Sequence, residues 1–236
     1  DYNAETLGAR VTEIGLQTQG MEDIIAAIVQ PKKDHPLWDS EVKENSHKFT
    51  WYSNESKRLN LFNWLPAPKI KNNVIENIYP MHPLATFALL RLAKEAGSDN
   101  RSVFKFFAPE FEDGSEGWKN VLPYSYPWFI EKNAIIKNDS LVMYTADLLV
   151  DHFEDGLKAT NSKLGESIKK SVGNYEATIR ELNAYLAKES ESQLFDSIDD
   201  LTLRIIKAML INEIISTPDI AIANTSDNIL FALDAI

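Results

Sequence analysis

The chain has 236 residues, a net charge of −11 and an ordinary share of aliphatic and aromatic side chains, enough to bury a sizeable core in one large domain or two small ones. Cysteine is absent, which excludes a disulfide framework, a thiolate metal site and a cysteine nucleophile, and fits a reducing, cytoplasmic location. With no run of eighteen apolar residues and no basic leader followed by an apolar stretch, neither a membrane span, a membrane partner nor a signal peptide is expected.

In chain order, Met21–Val29 is an apolar helix stopped by Pro31. From Pro31 to Pro68 the period is lost, and Trp38, Phe49, Trp51, Tyr52, Phe62 and Trp64 among prolines and polar residues predict loops pinned by aromatic anchors, with a short strand at Lys48–Tyr52. Pro83 suits a helix first turn and Gly97 a stop; between them the sequence is apolar almost all round, which predicts a helix over 83–96 buried on more than one side. Ser98-Asp99-Asn100 offers caps for a second helix over 99–107, closed by Pro109. Residues 109–138 are expected to be an aromatic-rich loop. Asn138-Asp139-Ser140 should then cap a helix over 140–154. Tyr175, Ile179, Leu182 and Leu186 share one stripe of a surface helix over 175–188. A further helix over 198–215 is stopped by Pro218, and Thr225-Ser226 caps a last one. Strand signals are few and no internal repeat is found, so the predicted fold class is mainly α, a helical bundle. A first residue other than Met and a last helix still apolar at Ile229, Leu230, Leu233 and Ile236 are what a piece cut from a longer polypeptide would show.

Charge is unevenly spread. From 56 to 105 eight Lys and Arg face three Asp and Glu, whereas from 181 to 236 three face ten, so any phosphate or nucleic-acid contact belongs to the middle of the chain. A phosphate-binding loop needs glycines that let backbone N–H groups wrap the phosphates, followed by Lys-Ser or Lys-Thr. The nearest approach, Gly165-Glu166-Ser167-Ile168-Lys169-Lys170-Ser171, has Lys169 where the second glycine must stand, so the chain alone is expected not to hydrolyse a nucleotide. His35, His47, His82 and His152 lack metal-ligand spacing, and no metal site is expected. Asp151-His152-Phe153-Glu154-Asp155 is expected to be a solvated helix face. No Gly-x-Ser-x-Gly turn supports a nucleophile, and no catalytic residue is assigned.

Three stretches carry a resemblance. Tyr79-Pro80-Met81-His82-Pro83-Leu84, an apolar helix, and Asp99-Asn100-Arg101-Ser102-Val103-Phe104-Lys105-Phe106-Phe107 resemble the "YPLHPL…NERSLFSFL" signature of large bacterial P-loop ATPases of BREX-type phage-exclusion systems, where it follows the nucleotide-binding core. Asn138–Phe153 is similar to that family's "hLYDYF" helix, and Leu203–Ile211 to the "RVLKTIALL" helix that opens a winged-helix-like region. The usual Asn-Glu-Arg-Ser reads Asp99-Asn100-Arg101-Ser102 here.

The residues themselves give an N-terminal helix and aromatic-rich loop region over 1–75; the resemblance, which spans roughly residues 75–236, implies an AAA+-like lid region over 76–160 and a helical region opening a truncated winged-helix-like segment over 161–236. It implies a non-catalytic regulatory region that couples nucleotide state to partner or DNA engagement. ATP and Mg²⁺ would be held by the ATPase core of the same polypeptide, and other defence-system proteins would be partners; the acidic net charge gives DNA no support. Arg101, at the first turn of the second helix, stands as at the "sensor 2" position of AAA+ lids, with His82 and Asn100 in support. A guanidinium suits that task because its rigid fork stays charged and can grip phosphate oxygens in a bidentate way. The alternatives are an exposed Arg101 paired with Asp99 or Glu95, and a His82 that only caps a helix or sits satisfied in the core. A helical interaction or scaffold domain without a nucleotide role is the competing reading.

Overall fold

The computed structural model describes residues 20–95, 101–107, 121–134, 136–137, 140–159, 164–189 and 199–234. Helix α1, Met21–Val29, starts at Gly20, whose φ of 95° lies where only glycine is at ease, and Glu22 and Asp23 in its first turn suit the positive end of the helix dipole. A π-type turn at Trp38–Val42 leads to α2, Ser46–Arg58, which corrects the expected strand at 48–52 and the expected loops around it. Phe49, Tyr52, Ser53 and Ser56 form its buried face, at spacings of three, four and seven. The buried Ser56 hydroxyl is satisfied by donating to the Tyr52 carbonyl at 2.7 Å.

A short turn of helix, α3 (Ala67–Lys69), runs into a second π-type stretch, Ile70–Glu76, which packs on α1 and α2. Helix α4, Pro83–Glu95, is the central strut: Leu84, Ala85, Ala88, Leu89, Leu92 and Ala93 are all buried, and α2, α7 and α10 lie against it. Burial on several sides is what its almost uniformly apolar sequence requires. Helix α5, Arg101–Phe107, packs on α4, and α6, Tyr126–Lys132, packs on α5. The start of α6 is fixed by Ser125, whose Oγ accepts from the Trp128 N–H, so the expected loop over 109–138 contains a helix.

The predicted helix over 140–154 is also corrected. Ser140–Leu141 (β2) pairs antiparallel with Ile136–Lys137 (β1), and helix appears only at Leu148–His152 (α7) and Glu154–Lys158 (α8). The cause is a long-range partner. The Tyr144 N–H donates to the Pro80 carbonyl at 2.7 Å and its carbonyl accepts from the His82 N–H at 3.0 Å, so this backbone is spent on a parallel bridge. The surface helix is longer than predicted, α9 (Glu166–Glu189), and pairs with α10 (Asp200–Ile215), whose N-cap Asp199 accepts from the Thr202 N–H at 2.9 Å. The last helix, α11 (Ser226–Ala232), is capped by Thr225 as the sequence predicts.

The fold is therefore mainly helical, and no helix among the described residues is long and apolar enough to cross a membrane. The apolar core is contiguous, from Met21 and Ile25 through α4 to Phe231 and Leu233. Between Asp200 and Asp234 the described residues form two helices joined by an irregular segment, with no strand. Gly97 and the Ser98-Asp99-Asn100 cap lie outside the described residues.

Candidate functional site

The stretch from Tyr79 to Phe107 is a structural joint followed by a strut. Met81 bridges to Tyr144, and His82 then caps α4: its Nδ1 accepts the Leu84 N–H at 3.2 Å, the role an Asn or Ser oxygen ordinarily plays. The imidazole proton therefore sits on Nε2, which meets no hydrogen-bond partner among the described residues. The ring is fully buried, edge-on to Phe231 (centroids 4.5 Å apart) and Tyr52 (5.2 Å). Burial pushes its pKa down to about 3, because a charged imidazolium there would lose its water with no anion in contact to replace it. The geometry shows the helix-capping reading of His82.

Phe231 carries the end of the chain into this joint, lying also against Trp51 with centroids 5.6 Å apart. The Tyr52 hydroxyl donates to Asp234 Oδ1 at 2.5 Å. Burial, then the charge of Asp234 and this bond, raise the Tyr52 pKa far above its usual value. Burial also raises the Asp234 carboxyl, against the opposing hydrogen bond from Tyr52 and the charge of Lys48. Arg58 donates to Asn228 Oδ1 at 2.9 Å and the Asn60 amide to the Asp219 carbonyl at 2.9 Å, so three contacts join α2 and its following turn to the last sixteen described residues.

A second polar constellation ties α10 to α7. The Asp147 carboxylate, 1% exposed, accepts from Arg204 Nε at 2.8 Å, and another guanidinium nitrogen reaches Thr145 Oγ1 at 3.2 Å. Lys207 Nζ lies 2.6 Å from Asp151 Oδ1. Burial works against the Arg204 charge, but the hydrogen bond and charge of Asp147 outweigh it and raise its pKa. Asp147 and Asp151 are four residues apart and Arg204 and Lys207 three apart, so each pair shares one helix face and the two faces match charge for charge. Sequence reasoning missed this clamp; the complementary spacing was the available signal. It also corrects the solvated-face reading of 151–155 at Asp151 and His152, while Glu154 and Asp155 are exposed as expected. Asp151 is paired, and the His152 ring packs on Phe106 at 5.0 Å with Nδ1 3.1 Å from the Pro123 carbonyl. Burial lowers the His152 pKa, with the Pro123 contact acting the other way.

Arg101 is the first residue of α5, as the sequence predicts, and its backbone follows closely on the end of the α4 strut. Its side chain, and all of Asn100, lie outside the described residues, so of the three sequence-predicted site residues only His82 is described in full. Among the described residues no three His, Asp or Glu side chains converge in a way that could hold a metal ion.

The fold and this joint define a mainly helical protein whose described polar side chains serve chiefly to lock helices to one another. No protein-family model, no curated protein and no solved structure matches the chain.

Proposed function

We propose that this chain is a non-catalytic helical regulatory region of a larger ATPase, of the phage-exclusion kind its signature resembles, and that it couples nucleotide state to engagement of a partner. On this reading α4 and α5 form an AAA+-like lid, Arg101 faces the nucleotide held by the core of the same polypeptide, and α9 with α10 is the output, the start of a winged-helix-like segment. One observation carries the proposal: α4 packs directly against both α7 and α10, while α10 is clamped to α7 by Arg204–Asp147 and Lys207–Asp151. Close-packed interiors transmit displacement rather than absorb it, so a shift of about 1–2 Å at α5 would be carried through the buried strut to α10. Hydrogen exchange on the intact ATPase tests this. A non-hydrolysable ATP analogue should change exchange in 83–107 and in 200–215 together, whereas a response confined to the core would oppose the reading.

The competing reading, a scaffold domain without a nucleotide role, is favoured by one feature. A groove of about 370 Å³ lies between α1 and α6, lined by Ile28, Val29, Phe107, Tyr126, Pro127 and Ile130, with Ile28 and Ile130 each 40% exposed. If hydrogen exchange changed there on adding a defence-system partner, and nowhere on adding nucleotide, that reading would replace the first.

A further inference from the structure

A separate pocket lies where the second half of α4 meets the end of α10. Phe87, Leu90 and Arg91 of α4 form one side, Ile215, Thr217 and Ile220 another, and Trp64 closes it, around about 170 Å³. Its walls are held independently of any ligand. Trp64 is fixed by its indole N–H, which donates to the buried Glu22 at 3.1 Å, and its ring lies 6.3 Å from that of Phe87 at only 32° between planes. The opposite wall is a tight turn closed at both ends, with the Thr217 N–H on the Ile220 carbonyl at 2.8 Å and the Ile220 N–H on the Thr217 carbonyl at 3.1 Å. The tip of that turn is tied back by Asn60 on the Asp219 carbonyl. Preformed, mostly apolar concavities with a few convergent polar groups are where small ligands bind.

The polar groups that line the pocket are of one kind. Thr217 Oγ1 accepts from the Ile220 N–H at 3.1 Å, which leaves the hydroxyl hydrogen to donate. Arg91 keeps a contact of its own, and a guanidinium with five N–H donors serves more than one acceptor. No lining side chain carries a negative charge. The carbonyl end of α10 beside Ile215 has a partial negative charge of about one half, less than the full positive charge of Arg91. A dry apolar cavity of about 150 Å³ already admits benzene, so this one accommodates a single ring with a small headgroup.

We infer that this pocket binds a small aromatic carboxylate, its ring between Trp64 and the aliphatic wall and its carboxylate on Arg91 and Thr217. The inference stands apart from any role in an ATPase. The ligand chemistry has two sources, a free arylalkanoic acid or the C-terminal phenylalanine of a peptide. Both are tested by titrating the full chain and following the Trp64 indole N–H resonance, assigned with a Trp64→Phe variant. Phenylacetate should give a saturable shift, and phenylacetamide and benzylamine should bind at least tenfold more weakly. A short peptide ending in Phe that binds more tightly than phenylacetate identifies the peptide source, and the reverse order identifies the free acid. In the variants Thr217→Val and Arg91→Gln, each checked for an unchanged melting profile, phenylacetate affinity should fall severalfold. If Arg91→Gln fails to fold, the comparison of carboxylate, amide and amine on the unaltered chain decides alone. No saturable shift at Trp64, or equal binding of acid and amide, would overturn the inference.

Discussion

Acidification perturbs the joint at His82, whose cap and burial both require a neutral ring. The folded pKa of about 3 lies below the ordinary 6.5, so as the pH falls through 6.5 the unfolded chain takes up a proton that the folded chain refuses. Stability from this group is intact above 6.5 and is lost progressively down to 3. At about pH 5 the unfolded state has gained roughly 1.5 pK units of proton binding, which amounts to about 2 kcal/mol, or a fall in Tm of about 4–8 °C. His152, also lowered by burial, acts in the same direction. Asp234 acts in the opposite one: its folded pKa is raised above 3.8, so protonation there favours the folded state as pH falls through that raised value. The assay is urea denaturation followed by circular dichroism at about pH 7.5 and about pH 5, on the unaltered chain and on His82→Asn, with the His82 loss near 2 kcal/mol. Asn keeps an acceptor for the Leu84 N–H and does not titrate. The variant should be less stable at the higher pH, having lost the ring between Tyr52 and Phe231, yet its further loss on acidification should be smaller by about 2 kcal/mol. An equal loss in both proteins, or a His82 ring proton that titrates near its ordinary value, would show that the folded chain does not hold this ring neutral.

Asp147→Ala leaves Arg204 half-buried without its carboxylate and should cost about 3 kcal/mol, the low end for a broken buried pair because Arg204 is 34% exposed; urea midpoints measure it. Phe231→Ala removes a fully buried ring from between Trp51 and His82 and should cost about 3–5 kcal/mol by the same measurement. Thr225→Ala deletes the α11 cap and should cost about 1 kcal/mol, with fraying visible as faster amide exchange at Asn228.

The elements legible in the sequence were those whose cause is local. Pro83 and an apolar run gave α4, an apolar run stopped by Pro218 gave α10 to within two residues, and Thr225 gave the cap of α11. What was not legible has non-local or disguised causes. In α2 the buried stripe contains Ser53 and Ser56, so Phe49, Trp51 and Tyr52 stood out as an aromatic alternation, and the helical period was hidden by small polar residues that are buried. The start of the expected 140–154 helix is lost to a partner sixty-odd residues away, since Tyr144 pairs with Pro80 and His82. At the candidate site, the His82 cap was among the roles read from the sequence. Its contacts with Tyr52 and Phe231, and the clamp between α7 and α10, depend on chain crossings that no local window contains. Within the expected 198–215 helix, Leu201 and Met209 point outward, 58% and 36% exposed, while Ala208 and Ile211 are buried, which a list of apolar residues does not distinguish.

In the proposed role of this region in a larger ATPase, Arg101 at the start of α5 is the residue that would meet the nucleotide. Replacing it by Ala should change the stability of the isolated chain by no more than about 0.5 kcal/mol, as for an exposed charge outside the core. In the intact ATPase the same change should slow ATP hydrolysis, by about 10³-fold if the guanidinium stabilises phosphoryl-transfer charge directly. Measuring the steady-state hydrolysis rate of that variant beside the melting of the isolated chain is the most direct test. Slow hydrolysis with unchanged melting is the predicted result; normal hydrolysis with a large loss of stability would contradict the account and assign Arg101 to a structural ion pair.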